Sequence, residues 1–228
     1  MDASALARLI DHTLLRSDAT SAEVRRLCEE ALAHRFAAVC VNPVHVGRVA
    51  DILAGSDVAP CSVAGFPLGA VPPEDKAAEA AGAVRCGAAE IDMVIALGAL
   101  KDGDHAVVRA DIAAVRAACR EQVLKVIIET CLLDAAEMRL ACTLAVEAGA
   151  DFVKTSTGFS TGGATVADVA LMRATVGDAV GVKASGGVRS LEAARALIAA
   201  GATRLGTSSG VALVTAGVAG GSYYTNGR

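Results

Sequence analysis

Short runs rich in Val, Ile and Cys alternate along the chain with longer Ala-rich stretches whose apolar residues recur at helical spacing. Eight of the short runs predict strands, at 9–14, 37–41, 61–65, 90–95, 124–129, 152–155, 180–184 and 203–207. The stretches between them carry helix-start signals: Thr20-Ser21, Pro72-Pro73-Glu74-Asp75, Asp134, and Ser190 followed by Glu192. Three helices end on one pattern, with Gly87, Gly149 and Gly201 placed where a left-handed cap stops a helix just before a strand.

A repeated helix, Gly cap and strand implies parallel strands joined by right-handed crossovers. Eight of them close naturally into a TIM (β/α)8 barrel, with a doubly wound open sheet as the alternative. No linker or low-complexity run divides residues 1–228, so one α/β domain is expected. The stretch from about 217, GVAGGSYYTNGR, reads as a mobile terminus.

Composition fits this picture. Hydrophobic residues make up 54% of the 228 and aromatics only 3%, so the core is built from Ala, Val, Leu and Ile, which suits close helix-on-strand layers. A net charge of −4 argues against a nucleic-acid partner but leaves room for one small anion. Seven cysteines, odd in number and without C-x-x-C spacing, read as reduced thiols. His12, His34, His45 and His105 lack partners at metal-ligand spacing, so no metal is expected. The opening MDASALARLIDHTLL lacks a basic segment followed by an unbroken apolar run, and no stretch reaches 18 uncharged apolar residues. No membrane association and a cytoplasmic address are the expectation.

The chemistry lies in the lysines. Of five, Lys125, Lys154 and Lys183 fall inside apolar strand runs, where an ammonium group is costly unless paired or deprotonated. One reading is salt-bridged core lysines with Asp92 and Glu129 as partners. The other is a shared polar barrel interior, since Ser185, Glu129 and Ser156 accompany the three lysines toward the strands' C-terminal ends, where barrels carry their active sites. On that reading Lys154 is a nucleophilic amine, Lys183 the neighbouring cation that lowers its pKa, and Asp92 a carboxylate that relays protons through water.

Two loops then suggest an anion site. Ser185-Gly186-Gly187-Val188-Arg189-Ser190 follows the seventh strand, and Gly206-Thr207-Ser208-Ser209-Gly210 ends the eighth; both offer backbone amides or hydroxyls where barrels bind phosphate. Thr157, Gly158 and the 161–163 stretch cover the same mouth. Arg189 either pairs with the anion or is simply solvated.

The segments LIDHTLL, VCVNP, AGFPLGA, EIDMV, LKVIIET, GADFVKTSTGF, VKASGGVRS and LGTSSG, in order from 9 to 210, resemble the motifs of the deoxyribose-phosphate aldolase family. The resemblance implies a class I aldolase on a TIM barrel that reversibly splits 2-deoxy-D-ribose 5-phosphate into D-glyceraldehyde 3-phosphate and acetaldehyde, in deoxyribonucleotide catabolism, with no metal or organic cofactor. It implies Lys154 as the Schiff-base lysine, Lys183 as the second lysine and Asp92 as the relay carboxylate, with Gly186, Gly187, Ser208 and Ser209 on the phosphate. It also places Asp11, Thr13 and Cys40 at the substrate pocket, and a homodimer is the expected assembly. Some members of that family carry a lysine where this chain has Phe159, and some end in a tyrosine that returns to the active site. Here Tyr223 and Tyr224 are followed by four further residues. The rival readings are a transaldolase-like Schiff-base aldolase and a sugar-phosphate binder without turnover.

Overall fold

The computed structural model describes residues 1–216. Tyr223, Tyr224 and the stretch read as a mobile terminus lie outside the described residues. Eight strands form one closed parallel barrel in chain order: β1 (Ile10–Leu14), β2 (Ala38–Val41), β3 (Ala59–Ala64), β4 (Glu90–Val94), β5 (Val123–Ile127), β6 (Phe152–Lys154), β7 (Gly181–Ser185) and β8 (Arg204–Thr207), with β8 pairing back onto β1. This is the barrel rather than the open sheet, and every predicted strand run overlaps an observed strand.

Ten α-helices surround or flank it among the described residues: α1 (Ala3–Ala7), α2 (Ser21–His34), α3 (Val46–Leu53), α4 (Pro73–Arg85), α5 (Leu97–Lys101), α6 (His105–Ala118), α7 (Ala135–Glu147), α8 (Val166–Val176), α9 (Leu191–Ala199) and α10 (Gly210–Ala216). The start signals act as read. Thr20 and Asp134 make full capping boxes with Glu23 and Glu137, Pro73 opens α4, and Ser190 accepts from the Ala193 amide. A side-chain cap of this kind is worth about 1 kcal/mol. Gly87, Gly149 and Gly201 all take positive φ, at 99°, 86° and 113°, where an L side chain is strained.

Strand alternation sorts the residues into two layers. Ile91, Met93, Leu124, Val126, Val153 and Val182 point outward into the sheath under the helices, and each side chain fully buried there is worth about 1.5–3 kcal/mol. The inward residues divide by strand. On the β2–β3 side Ala38, Cys40, Cys61 and Val63 make a small apolar cluster with Leu15. The remaining strands fill the interior with charge.

Candidate active site

β4 contributes Glu90 and Asp92, two residues apart and therefore on one face. Lys125 comes from β5, Lys154 from β6, Lys183 from β7, Arg204 from β8 and Asp11 from β1. Parallel register brings them level across the barrel, with Asp92 beside Lys125, Lys154 beside Lys183, and Lys183 beside Arg204.

Asp92 sits at the centre. Its Oδ2 accepts hydrogen bonds from Lys154 Nζ and Lys183 Nζ, each at 2.6 Å. Its Oδ1 accepts from Lys125 Nζ at 2.8 Å and from the Cys61 thiol at 3.3 Å. Asp11 accepts from Lys183 at 2.5 Å and from Arg204 at 2.7 Å. Glu90 accepts from Arg204 at 3.2 Å and pairs closely with Lys125, whose third carboxylate neighbour is Asp11 at 3.4 Å. The salt-bridged reading is therefore correct as to Asp92 and incorrect as to Glu129, which bonds no lysine. β5 ends at Ile127 and Glu129 takes φ 54°, so the strand alternation that aligned it with Lys125 no longer holds there.

Burial pushes the Asp92 carboxyl up, but Lys125, Lys154 and Lys183 together outweigh it and hold it well below the usual carboxylate range. Burial likewise opposes the charge on Lys183, yet Asp11 and Asp92 overcome it and raise its pKa. For Lys125 the same competition, won by Asp92 with Cys61, Asp11 and Glu90, leaves it raised well above the ordinary lysine value. Four cations thus face three carboxylates. Lys125 has three carboxylate partners and Lys183 two, while Lys154 has only Asp92, whose oxygen it shares with Lys183.

Lys154 also differs in access, because it lies at the floor of a cavity of about 360 Å³ at the strands' C-terminal ends. Thr13, Gly158, Gly186, Gly187 and Ser208 line this cavity, with Phe159, Arg16 and Arg189 also on its wall. Gly186 and Gly187 adopt φ 84° and 77°, and a Cβ built on Gly187 would meet nothing within 4 Å. The 161–163 stretch packs beside this turn, where a Cβ on Gly163 would collide with the Gly186 carbonyl oxygen at 2.3 Å. Gly206 makes room for a catalytic candidate, since a Cβ there would lie 3.0 Å from Lys183 Cε and 2.8 Å from Ser185 Cβ.

Thr157 lines the cavity too, but its donors are already spent. Its amide and hydroxyl both donate to the Glu129 carboxylate, the hydroxyl at 2.5 Å, and its hydroxyl oxygen accepts from the Phe159 amide at 3.1 Å. Glu129 is 2% exposed and fixes the loop after β6. Ser209 is not on the cavity wall, and its amide donates to the Thr207 hydroxyl at 2.9 Å. Asp11, Asp92 and Cys40 are fully buried below the wall rather than part of it. Lys183 is likewise below the wall, next to Lys154.

Sequence reasoning missed Arg204 and Glu90. Glu90 stands two before Asp92, on the same face of its strand, and Arg204 is a charge inside the apolar run 203–207, and these were the available signals. Two sets of potential ligand atoms, Cys40 with Cys61 and Asp92, and Asp11 with Cys61 and Glu90, fall within 4.8 Å. Their carboxylates already receive lysine or arginine donors, so a metal ion would have to displace ammonium or guanidinium groups.

Comparison with known proteins agrees with the barrel fold. Residues 5–220 match the family described as DeoC/LacD family aldolase. A deoxyribose-phosphate aldolase of Brevibacillus brevis is 61% identical over 217 residues, covering 95% of this chain and 98% of that protein. One from a Geobacillus species is 59% identical over 219 residues, covering 96% and 98%. The tetrameric deoxyribose phosphate aldolase of Aeropyrum pernix superposes with a TM-score of 0.88 at 35% identity, over 94% of this chain and 92% of that one.

Proposed function

We propose that this chain, which belongs to the DeoC/LacD aldolase family, reversibly cleaves 2-deoxy-D-ribose 5-phosphate through an imine on Lys154. The observation that carries this reading is the uneven sharing of carboxylates. Of the three barrel lysines, Lys154 is the one with a single carboxylate contact, and it is the one at the cavity floor. Four cations against three carboxylates leave one positive charge in excess, so loss of a proton from Lys154 makes the cluster neutral. Arg204 does not deprotonate, and Lys125 and Lys183 are held charged by their partners.

The free amine adds to C1 of the open-chain sugar, and loss of water gives the imine. Removal of the proton from the C3 hydroxyl breaks the C2–C3 bond, releases D-glyceraldehyde 3-phosphate and leaves an enamine on Lys154. Protonation of its terminal carbon and addition of water return acetaldehyde and the free lysine. Asp92 begins as a carboxylate bound by three ammonium groups. Once Lys154 has given up its proton and added to the sugar, Asp92 has one cation fewer, its basicity rises, and it can exchange protons through Lys183 or a water molecule.

The phosphate lies at the other end of the cavity, against the backbone of Gly186 and Gly187, Ser208, and Arg189. Gly158 shapes that wall. Thr157 and Ser209 position neighbouring backbone rather than donate to the anion, and Thr13 contacts the sugar from β1. The reading also includes a place in deoxyribonucleotide catabolism, a cytoplasmic address and a homodimer, whose solution mass is checked by light scattering.

Borohydride reduction in the presence of acetaldehyde alone tests the centre of the proposal. It should add an ethyl group to Lys154, located by peptide mass mapping. Lys154→Ala and Lys154→Arg should fold normally, lose the adduct and lose cleavage of deoxyribose 5-phosphate. An adduct on Lys183 or Lys125 in the native enzyme would move the nucleophile there.

A further inference from the structure

Titratable groups reach the surroundings of Lys154 from every other strand. Asp11 stands on β1, the Cys40 thiol on β2, the Cys61 thiol on β3, Glu90 and Asp92 on β4, Lys125 on β5, Lys183 on β7 and Arg204 on β8. Glu129, beyond β5, bonds Thr157, while Arg16 and Arg189 lie on the cavity wall above. Within this set Glu90 and Arg204 are peculiar. Neither lines the cavity and neither contacts Lys154, yet Glu90 directly and Arg204 through one carboxylate connect to lysines that share Asp92 with it. Glu90 holds Lys125, which takes the other oxygen of Asp92. Arg204 bridges Glu90 to Asp11, and Asp11 holds Lys183, which takes the same Asp92 oxygen as Lys154.

We propose that Glu90 and Arg204 are positioning residues that set the net charge of the buried cluster, and through it the pH at which the Lys154 amine becomes free to attack. The inference rests on the Lys154 imine reading above. Its physical content is a count. With all groups in their ordinary forms, Asp11, Glu90 and Asp92 oppose Lys125, Lys154, Lys183 and Arg204, and the excess is a single positive charge. Replacing Glu90 with a neutral residue raises that excess to two and favours release of the Lys154 proton. Neutralising Arg204 reduces the excess to zero, so that losing a further proton leaves the cluster negative and the ammonium form is favoured. In a buried site of low effective dielectric a unit charge one layer away still shifts a titration.

The test measures the rate of borohydride trapping with acetaldehyde against pH, with the adduct mapped to Lys154. Glu90→Gln should move the midpoint of the rise down by on the order of one pH unit, and Arg204→Gln should move it up by a similar amount. The double variant Glu90→Gln/Arg204→Gln restores the count and should titrate near the native midpoint even if one single variant folds poorly. The charge-conserving variants Glu90→Asp and Arg204→Lys should also keep that midpoint. Single shifts in the same direction, no shift in either, a double variant that does not return, or conservative variants that move as far as the neutral ones would each overturn the proposal. Failure of the native enzyme to be labelled at Lys154 would instead overturn the imine reading on which it stands.

Discussion

Replacing Asp92 with asparagine strikes the one residue on which three lysines converge. The change removes one of three carboxylate charges and puts an amide nitrogen, a donor, where one oxygen accepts from ammonium groups at 2.6 or 2.8 Å. Breaking a buried ion pair by removing one partner costs about 3–5 kcal/mol, because the abandoned charge stays desolvated. In a domain of this size each kcal/mol lowers the melting temperature by about 2–4 °C, so a fall of roughly 6–20 °C is expected at pH 7.

The pH dependence carries a sign. Asp92 is depressed in the folded protein, so its contribution is fully present above the unfolded carboxyl pKa of about 3.9 and is lost as pH falls from there toward the folded value. The stability gap between native enzyme and variant should therefore be constant near neutrality and narrow below about pH 4. Cleavage should fall by a factor on the order of 10² to 10⁴, the usual loss for a positioned acid or base. At a temperature where the variant is folded, the Lys154 adduct should still form and be trappable. Thermal unfolding at several pH values, paired with single-turnover cleavage, reads all of these together. A variant as stable as the native protein at pH 7 would refute the geometry. A variant that is destabilised yet turns over at the native rate when folded would show Asp92 to be an anchor for lysines and nothing more.

Two further outcomes follow from other parts of the structure. Gly187→Asp places a side chain at φ 77° and a negative charge facing the cavity, so kcat/KM should fall much more for deoxyribose 5-phosphate than for unphosphorylated deoxyribose; equal losses on both substrates would make the loop a structural turn only. Lys76 on α4 and Asp111 on α6 form a fully buried pair at 2.6 Å outside the barrel, so Lys76→Met or Asp111→Leu alone should each cost about 3–5 kcal/mol while the double variant recovers most of it, as denaturant midpoints will show.

The fold was legible because its signals are local. Thr20, Asp134 and Ser190 cap helices through side chains that reach three residues along the chain, and the glycines at 87, 149 and 201 satisfy a backbone demand at one position. Lys154, Lys183 and Asp92 were legible for a different reason, since a charge in a β-branched run has few structural excuses. Lys76 escaped this test because it lies in a polar-looking helix, EDKAAEAAG. Its partner Asp111 is 35 residues away, and the Val94 carbonyl it also bonds belongs to a strand end. Strand periodicity aligns Glu129 with Lys125 only if β5 runs two residues past Ile127, and there the backbone has already turned. Thr157 looked like an anion donor by residue type, and only the distance to Glu129 shows that its hydrogens are committed elsewhere.

On the proposed reading, the two halves of the reaction fall at different depths of the barrel. The buried cations lie on the barrel floor, bonded to carboxylates, while the anion end of the cavity offers backbone amides, Ser208 and side chains of the rim. On that reading, a phosphate held by amides and Arg189 at the rim takes no donor from the carboxylates of the floor, so substrate can bind without breaking the ion pairs around Asp92. Glu129 takes both Thr157 donors and so places a buried carboxylate behind the loop after β6. On the proposed reading, the contacts to the anion and the ion pairs of the amine therefore fall to different residues, rim amides and Ser208 for the one and the buried carboxylates for the other.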